Sequence, residues 1–195
     1  MQIIRLKLAR LVFLVGCIVP LAVNAAEEKA DRTCGTVPPP YTADRTIHTP
    51  GGTLKSKFYS NGAMQREDQN KDLYRITDLD KSVVYLINLK AKTLVERPLV
   101  NKPADPKNLR EDSYVDRQPQ DDGTILVEAG AKKDGKKNWF DRAVCGADGI
   151  FLQRELKVPG PDKKMVTIKI VQENIKVGDV SASLFEIPAG LTHKK

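Results

Sequence analysis

Short runs of alternating apolar and polar residues, separated by turn signals, fill most of the chain. In Thr53–Ser60, Leu54 and Phe58 alternate with lysines, and Asn61-Gly62 follows at once. Alternation with a period of two is typical of a half-buried strand, and Asn-Gly between two such runs is a strong hairpin signal. This stretch therefore predicts a β-hairpin.

The same alternation of apolar and polar residues continues on both sides of this hairpin. Further strands are predicted at Tyr41–Thr49, Ala63–Asp68, Leu73–Thr77, Val83–Asn88, Thr93–Pro98, Thr124–Ala129, Asn138–Cys145, Ile150–Val158 and Met165–Ile175. Strands this closely spaced favour an antiparallel meander over βαβ units. Leu99–Gln120 interrupts the pattern with three prolines, and we interpret it as a long loop with at most two helical turns. The fold class is therefore mostly β, with little helix after the first segment.

The first 25 residues have the pattern of a signal peptide. Three basic residues precede the apolar run Leu11–Val23, which is too short to cross a bilayer, and small residues lead up to Ala25. We expect cleavage after Ala25. The alternative is lipidation at Cys17, because Leu14-Val15-Gly16-Cys17 resembles a bacterial lipobox. In either case we expect an exported protein with no transmembrane helix in the mature chain.

Cleavage would leave two cysteines, Cys34 and Cys145. An even pair in an exported protein predicts a disulfide, and two free thiols are the alternative. The bridge would tie the proline-rich lead-in, residues 26–40, to a late strand. A metal site is not predicted, because neither His48 nor His193 has ligand spacing with a cysteine.

The net charge and the motifs that the sequence lacks bear on which classes of function to expect. The chain has a formal net charge of +7, and removing residues 1–25, with three basic residues and no acid, leaves +4. This mild balance does not indicate a nucleic-acid binder. We expect no enzyme and no cofactor, since the sequence has no glycine-rich phosphate loop and no G-x-S-x-G elbow.

Four lysines flank the predicted hairpin tip at Asp134-Gly135, namely Lys132, Lys133, Lys136 and Lys137. Charged turn tips are common, so solubility is the ordinary interpretation. Contact with anionic lipid headgroups is the alternative.

Several segments together resemble the periplasmic LolA-like superfamily. They are YTADRTIHTPGGTLKSKFYSNGAMQRE, DLDKSVVYLINLKAKTLVERPL, GIFLQREL and NIKVGDVSASLFEIPAG. The similarity is greatest to a branch of domains of unknown function that end in "slFeiPaG". The resemblance covers residues 41–190 and implies a strongly curved antiparallel sheet, or half-open β-barrel, whose concave apolar face holds acyl chains or a lipidated partner. Residues 191–195 would then be a tail.

The sequence and this resemblance support two functions. The first is a non-enzymatic periplasmic protein that binds a hydrophobic guest, lipid or lipoprotein acyl chains, in the curved sheet. Its candidate lining residues are those expected to point inward: Leu54, Phe58, Tyr85, Ile87, Ile168 and Ile170. The alternative is an envelope interaction module without a cavity that docks a protein partner.

Overall fold

A computed structural model describes residues 34–99, 112–160, 162 and 164–194. The strands are β1 Tyr41–Thr49, β2 Gly52–Ser60, β3 Met64–Asp68, β4 Leu73–Asp78, β5 Val83–Asn88, β6 Thr93–Pro98, β7 Ser113–Pro119, β8 Ile125–Lys133, β9 Lys136–Cys145, β10 Phe151–Pro159, β11 Met165–Val177 and β12 Thr192–Lys194. One short 3-10 helix, Ala182–Phe185, lies between β11 and β12. The predicted signal peptide, its cleavage site after Ala25 and the lipobox at Cys17 lie outside the described residues.

All of these strands form one sheet in the order β12-β6-β5-β4-β3-β2-β1-β11-β10-β9-β8-β7. Two meanders, β1–β6 and β7–β11, join where β1 pairs with β11. Every pairing is antiparallel except that of β12 with β6. The strands β12 and β7 are the two edges, so the curved sheet stays open. The predicted mostly β, antiparallel fold class is confirmed.

The turn residues explain where the strands reverse. Asp134 and Gly135 both have positive φ, at 50° and 72°, as a tight hairpin between right-twisted strands requires. At the other predicted hairpin only Gly62 has positive φ, and the Asn61 side chain instead accepts a hydrogen bond from the Met64 amide at 2.7 Å. The two sequence signals therefore produce hairpins by different local geometries.

The pairing register assigns side chains to two faces. Paired residues of an antiparallel ladder point to the same side. Phe58 pairs with Ala43 and Glu67, and Tyr74 pairs with Asp68 and Ile87. We call the two sides the Phe58 face and the Tyr74 face.

Two buried clusters lie on the Phe58 face. One contains Cys34, Val127, Ala143, Cys145 and Phe151, and the other contains Tyr41, Ala43, Phe58 and Ile150. The cluster on the Tyr74 face contains Tyr74, Ile76, Ile87 and Leu94, with Leu191 of the C-terminal segment packed against it.

The disulfide between Cys34 and Cys145 is present, with its Cα atoms 5.7 Å apart and a sequence separation of 111. It holds the start of the described chain against β8, β9 and β10 on the Phe58 face. Arg117 adds a hydrogen bond from Nη1 to the Cys34 carbonyl at 2.9 Å. The prediction of a bridge between the lead-in and a late strand is confirmed.

Two segments differ from the sequence interpretation. The sequence predicts a long loop with at most two helical turns over Leu99–Gln120, but the last part of this stretch forms β7; residues 100–111 lie outside the described part. As an edge strand, β7 needs only one buried side chain, Tyr114, to anchor it, so its apolar content is low. The segment interpreted as a tail contains β12, which extends the sheet beside β6.

Candidate ligand-binding face

The six predicted lining residues do not share one surface. Leu54, Phe58, Ile168 and Ile170 lie on the Phe58 face, whereas Tyr85 and Ile87 lie on the Tyr74 face. The register gives the reason: Glu67 pairs with both Phe58 and Arg75, and Arg75 pairs with Leu86. If the assignment of inward positions on β5 is wrong by one residue, every side chain of that strand is placed on the wrong face.

Tyr85 and Ile87 therefore belong to a different environment. Ile87 is fully buried, and Tyr85 and Leu191 both pack against the same cluster. Arg66 on this face donates a hydrogen bond from Nη1 to the Leu184 carbonyl at 2.8 Å, and Phe185 is buried. The chain covers this part of the Tyr74 face with its own C-terminal segment.

Apolar side chains left partly exposed form a continuous patch on the Phe58 face. Ile47 pairs with both Leu54 and Ile170. The next residue of β11 on the same face, Ile168, pairs with Leu156. We define the aliphatic stripe as Ile47, Leu54, Leu156, Val158, Val166, Ile168 and Ile170. Leu54 is 38% exposed, and the others are partly buried. The stripe gathers Leu54, Ile168 and Ile170 from the predicted set.

Phe58, the remaining predicted residue of this face, is only 2% exposed. Tyr41 lies beside it, with ring centroids 5.5 Å apart, and Ile150 packs against both. A cavity next to the disulfide measures about 10 Å³, which is room for at most one water molecule. This part of the face is filled by the protein's own side chains, whereas the aliphatic stripe keeps a row of apolar side chains partly exposed.

A buried polar cluster borders the stripe. Arg45 and Glu67 are 6% and 2% exposed, and Arg45 Nη1 lies 3.7 Å from Glu67 Oε2. Arg75 Nη2 lies 2.5 Å from the same oxygen, and Ser56 Oγ donates to Glu67 Oε1 at 2.7 Å. We call Arg45, Ser56, Glu67, Arg75 and Gln172 the Glu67 cluster.

Arg45 connects this cluster to the aromatic core. Its guanidinium carbon lies 3.5 Å from the centroid of the Phe58 ring, a cation–π contact. Its Nη2 donates to Gln172 Oε1 at 2.9 Å, and Gln172 Nε2 donates to the Phe151 carbonyl at 2.6 Å. The sequence analysis missed these residues, although a charged residue at an inward position, between Ala43 and Ile47, was a signal that could have identified Arg45.

A second ion pair borders the stripe on its other side. Arg154 pairs in register with Ile170, and its guanidinium donates to both carboxylate oxygens of Asp141, at 3.0 and 2.6 Å. The stripe thus lies between two sets of paired charges. An elongated apolar group is the shape and chemistry that such a strip can accept.

A groove on the opposite side of the sheet is lined mainly by polar and charged residues. It has a volume of about 380 Å³ and is lined by Thr42, Ala43, Asp44, Lys57, Tyr59, Asn174 and Lys176. Hydrogen bonds from Lys57 and Asn174 hold the pKa of Asp44 below its usual value. The hydrogen bond to Asp44 raises the pKa of Lys57. This groove contains the solvent-accessible ion pair of Lys57 and Asp44.

Tyr114, Glu128 and Arg142 form a polar group on the Tyr74 face near the β7 edge. Tyr114 OH donates to Glu128 Oε1 at 2.8 Å, and Arg142 Nη2 donates to Glu128 Oε2 at 2.7 Å. Burial, together with the hydrogen bond to Glu128, raises the pKa of Tyr114 to about 12. Burial also acts to raise the pKa of Glu128, but the hydrogen bonds from Arg142 and Tyr114 outweigh it and hold that pKa below its usual value.

No family model matches the chain, and no curated protein matches it. Similar solved structures include an uncharacterized conserved protein from Thermus thermophilus, at 12% identity and a TM-score of 0.48, covering 87% of this chain and 96% of the other. A LolA superfamily protein from Nitrosomonas europaea matches at 9% identity and a TM-score of 0.39, covering 84% and 94%. A DUF1329 family protein from Desulfovibrio piger matches at 12% identity and a TM-score of 0.28, covering 84% and 97%.

These neighbours include the superfamily and the kind of unknown-function family that the sequence resembles. All three TM-scores lie below 0.5. Among the residues that the structure describes, no helix is long and apolar enough to cross a membrane. In the same part of the chain, no three histidine, cysteine, aspartate or glutamate side chains converge as metal ligands would.

Proposed function

We propose that this protein is an exported, non-enzymatic binding protein that holds an apolar guest on the aliphatic stripe. The guest would be a lipid or the acyl chains of a lipoprotein, as in a lipoprotein carrier. The observation that carries the proposal is the continuity of the stripe. One row of paired residues across the strands contains Leu54, Ile47 and Ile170, and the next row contains Ile168 and Leu156.

The energetics of such a complex follow from the burial of methylene groups. Each methylene transferred from water contributes about 0.8 kcal/mol, so a chain segment that buries about six contributes roughly 5 kcal/mol before the cost of ordering it. The side chains of the stripe are already held by strand pairing, which keeps their own loss of freedom small. An apolar chain that shifted sideways from the stripe onto the bordering ion pairs would remove water from charged groups, which is costly. The ion pairs therefore confine the chain to the stripe.

Export is supported by the disulfide, since such bonds persist in oxidising compartments. We propose a periplasmic location after cleavage behind Ala25, with anchoring at Cys17 as the alternative. The intact mass of the protein purified from its own cells distinguishes the two, because lipidation adds acyl mass to a chain beginning at residue 17.

A matched pair of variants on β11 tests the proposal. Val166 belongs to the stripe, whereas Val171 pairs with Gln153 and lies on the Tyr74 face; both are partly buried. Val166→Thr should weaken binding of a lysophospholipid to delipidated protein about threefold to tenfold, and Val171→Thr should leave the Kd unchanged. Equal Kd values for wild type and Val166→Thr, or no saturable binding at all, would overturn the proposal.

A second candidate function is an envelope interaction module that docks a protein partner without holding a guest. Two observations favour it: the cavity beside the disulfide holds about 10 Å³, and the roomier groove is polar and on the opposite face. Cross-linking in intact envelopes separates the two candidates. A single partner cross-linked through the stripe, from protein that carries no lipid, would support the module.

A further inference from the structure

The two ends of the sheet, each made of turns and the strand ends beside them, differ in charge. Consecutive antiparallel strands reverse at alternate ends, so every second turn of a meander lies at the same end. One end, which we call the lysine rim, contains the turns 50–51, 69–72, 89–92 and 134–135, the strand-end lysines of β8 and β9 at 132, 133, 136 and 137, and residues 112, 160, 162 and 164. The segments 61–63, 79–82, 120–124, 146–150 and 178–180 share the other, which we call the aspartate rim.

The β8–β9 hairpin supplies four of the eight lysines of the lysine rim. Lys132 pairs with Lys137 across the hairpin, and Lys133 pairs with Lys136. All four are exposed, and Lys137 forms an ion pair with Asp116. Like charges placed opposite one another destabilise a strand pair, so this arrangement is unfavourable for the isolated fold and becomes favourable beside an anionic surface.

The remaining lysines extend the charge across the sheet. Lys71 lies in the β3–β4 turn, Lys90 and Lys92 lie in the β5–β6 turn, and Lys164 lies in the β10–β11 turn; all are exposed. Among the described residues the lysine rim therefore holds eight lysines and four aspartates. The turns of the aspartate rim hold five aspartates and one lysine, and Lys176 lies at the adjoining end of β11.

The spacing of these charges identifies the kind of partner. The β5–β6 turn and the β8–β9 tip are separated by eight strand spacings, roughly 40 Å along the sheet. That distance is several Debye lengths at physiological salt, about 8 Å each. A small anion would meet only one of these lysine groups, whereas an extended anionic surface would meet them all.

Two exposed apolar side chains lie among the lysines of this rim. Leu89 is 37% exposed and precedes Lys90, and Met165 is 57% exposed and follows Lys164. Lysine next to an exposed apolar side chain suits the boundary between lipid headgroups and acyl chains. The apolar pair therefore favours a lipid surface over an acidic protein.

We propose that the lysine rim docks the protein end-on against a membrane rich in anionic phospholipids, with the aspartate rim facing away. The proposal does not depend on the aliphatic stripe, because the rim lies at the strand ends and the stripe lies on the Phe58 face. If both proposals hold, docking would bring the stripe close to the membrane from which a guest is taken or to which it is delivered.

Co-sedimentation with vesicles tests the docking proposal. Wild-type protein should bind vesicles of phosphatidylcholine and phosphatidylglycerol, should bind pure phosphatidylcholine vesicles far more weakly, and should dissociate as salt is raised. The double variant K133Q/K136Q should bind the anionic vesicles at least tenfold more weakly at low salt, since each lysine near such a surface contributes about fivefold. The control K81Q/K176Q removes the same charge near the aspartate rim and should change binding less than threefold.

Equal losses in the two double variants would overturn the proposal, because net charge alone would then explain binding. Equal binding of wild type to both kinds of vesicle would also overturn it and would indicate a lipid anchor. Binding to polyglutamate without binding to anionic vesicles would assign the rim to an acidic protein and equally overturn membrane docking. Lysophospholipid binding in solution, measured on K133Q/K136Q, reports on the stripe separately and should equal that of wild type.

Discussion

Arg45 and Glu67 form a buried ion pair on the Phe58 face, with Nη1 3.7 Å from Oε2 and side chains only 7% and 2% exposed. A buried ion pair contributes little net stability compared with apolar residues of the same size, but losing one partner leaves the other charge without compensation. Glu67 also accepts from Ser56 and lies beside Arg75. Its carboxylate is therefore the centre of the polar cluster.

Glu67→Gln should lower the free energy of unfolding by about 3 kcal/mol, because Arg45 remains buried beside a neutral group. Urea denaturation of the disulfide-bonded protein measures the change. Asp44→Asn, which removes an exposed carboxylate paired with Lys57, is the control and should leave the urea midpoint within error. Similar losses in the two variants would show that burial of Glu67 is not the cause.

The strands could be predicted from the sequence because their pattern is local. Alternation and turn residues placed β2, β5 and β11 within one or two residues of their observed bounds. The shared face could not be predicted, because it depends on register between strands. Tyr85 and Ile87 alternate as expected within β5, yet the pairing of Arg75 with Leu86 turns them away from Phe58.

The Glu67 cluster was missed for a related reason. Arg45 and Glu67 lie on strands separated by β2 and meet only after the sheet forms. The disulfide was predictable because residue type and cell compartment, not register, determine it. The strand β7 was missed because few of its side chains are apolar, which an edge strand with one covered face tolerates.

Removal of the disulfide should destabilise the protein and release the lead-in segment. The double variant C34A/C145A should lose about 2–5 kcal/mol of unfolding free energy, since the bridge closes a loop with a sequence separation of 111 residues. Urea denaturation measures this. Limited proteolysis should cut the variant near residue 34 before any strand, whereas an unchanged urea midpoint would contradict the role assigned to the bridge.

Alkaline stability should depend on Tyr114. The unfolded phenol titrates near its ordinary value of 10.0, whereas the folded pKa is about 12, so the unfolded chain loses its proton first. Stability should therefore fall as pH rises from about 10 to about 12. Tyr114→Phe should reduce this decline, and urea midpoints measured across this pH range test it. A smaller decline in stability should remain in the variant, because burial also raises the pKa of Tyr74. An unchanged decline in Tyr114→Phe would contradict the assignment.

Gly130 should be intolerant of any side chain. It lies at the bulge between β8 and β9, and a Cβ atom there would come within 2.2 Å of the Asn138 carbonyl oxygen and 2.7 Å of Trp139 Cα. Gly130→Ala should therefore lower the unfolding free energy by about 1–3 kcal/mol, as overpacking against backbone does. Gly51→Ala is the control, because its Cβ atom would meet nothing closer than 3.8 Å. A change no larger than that of the control would show that the backbone can shift to accept it.

We propose that the aliphatic stripe holds an apolar guest in the cell. Native mass spectrometry of the protein purified from its own envelope, without detergent exchange, tests it most directly, because one spectrum reports both the disulfide and any bound molecule. We predict a bridged chain carrying an acyl-containing guest, with less guest on Val166→Thr than on Val171→Thr. A bridged chain of bare mass in all three samples would contradict the claim.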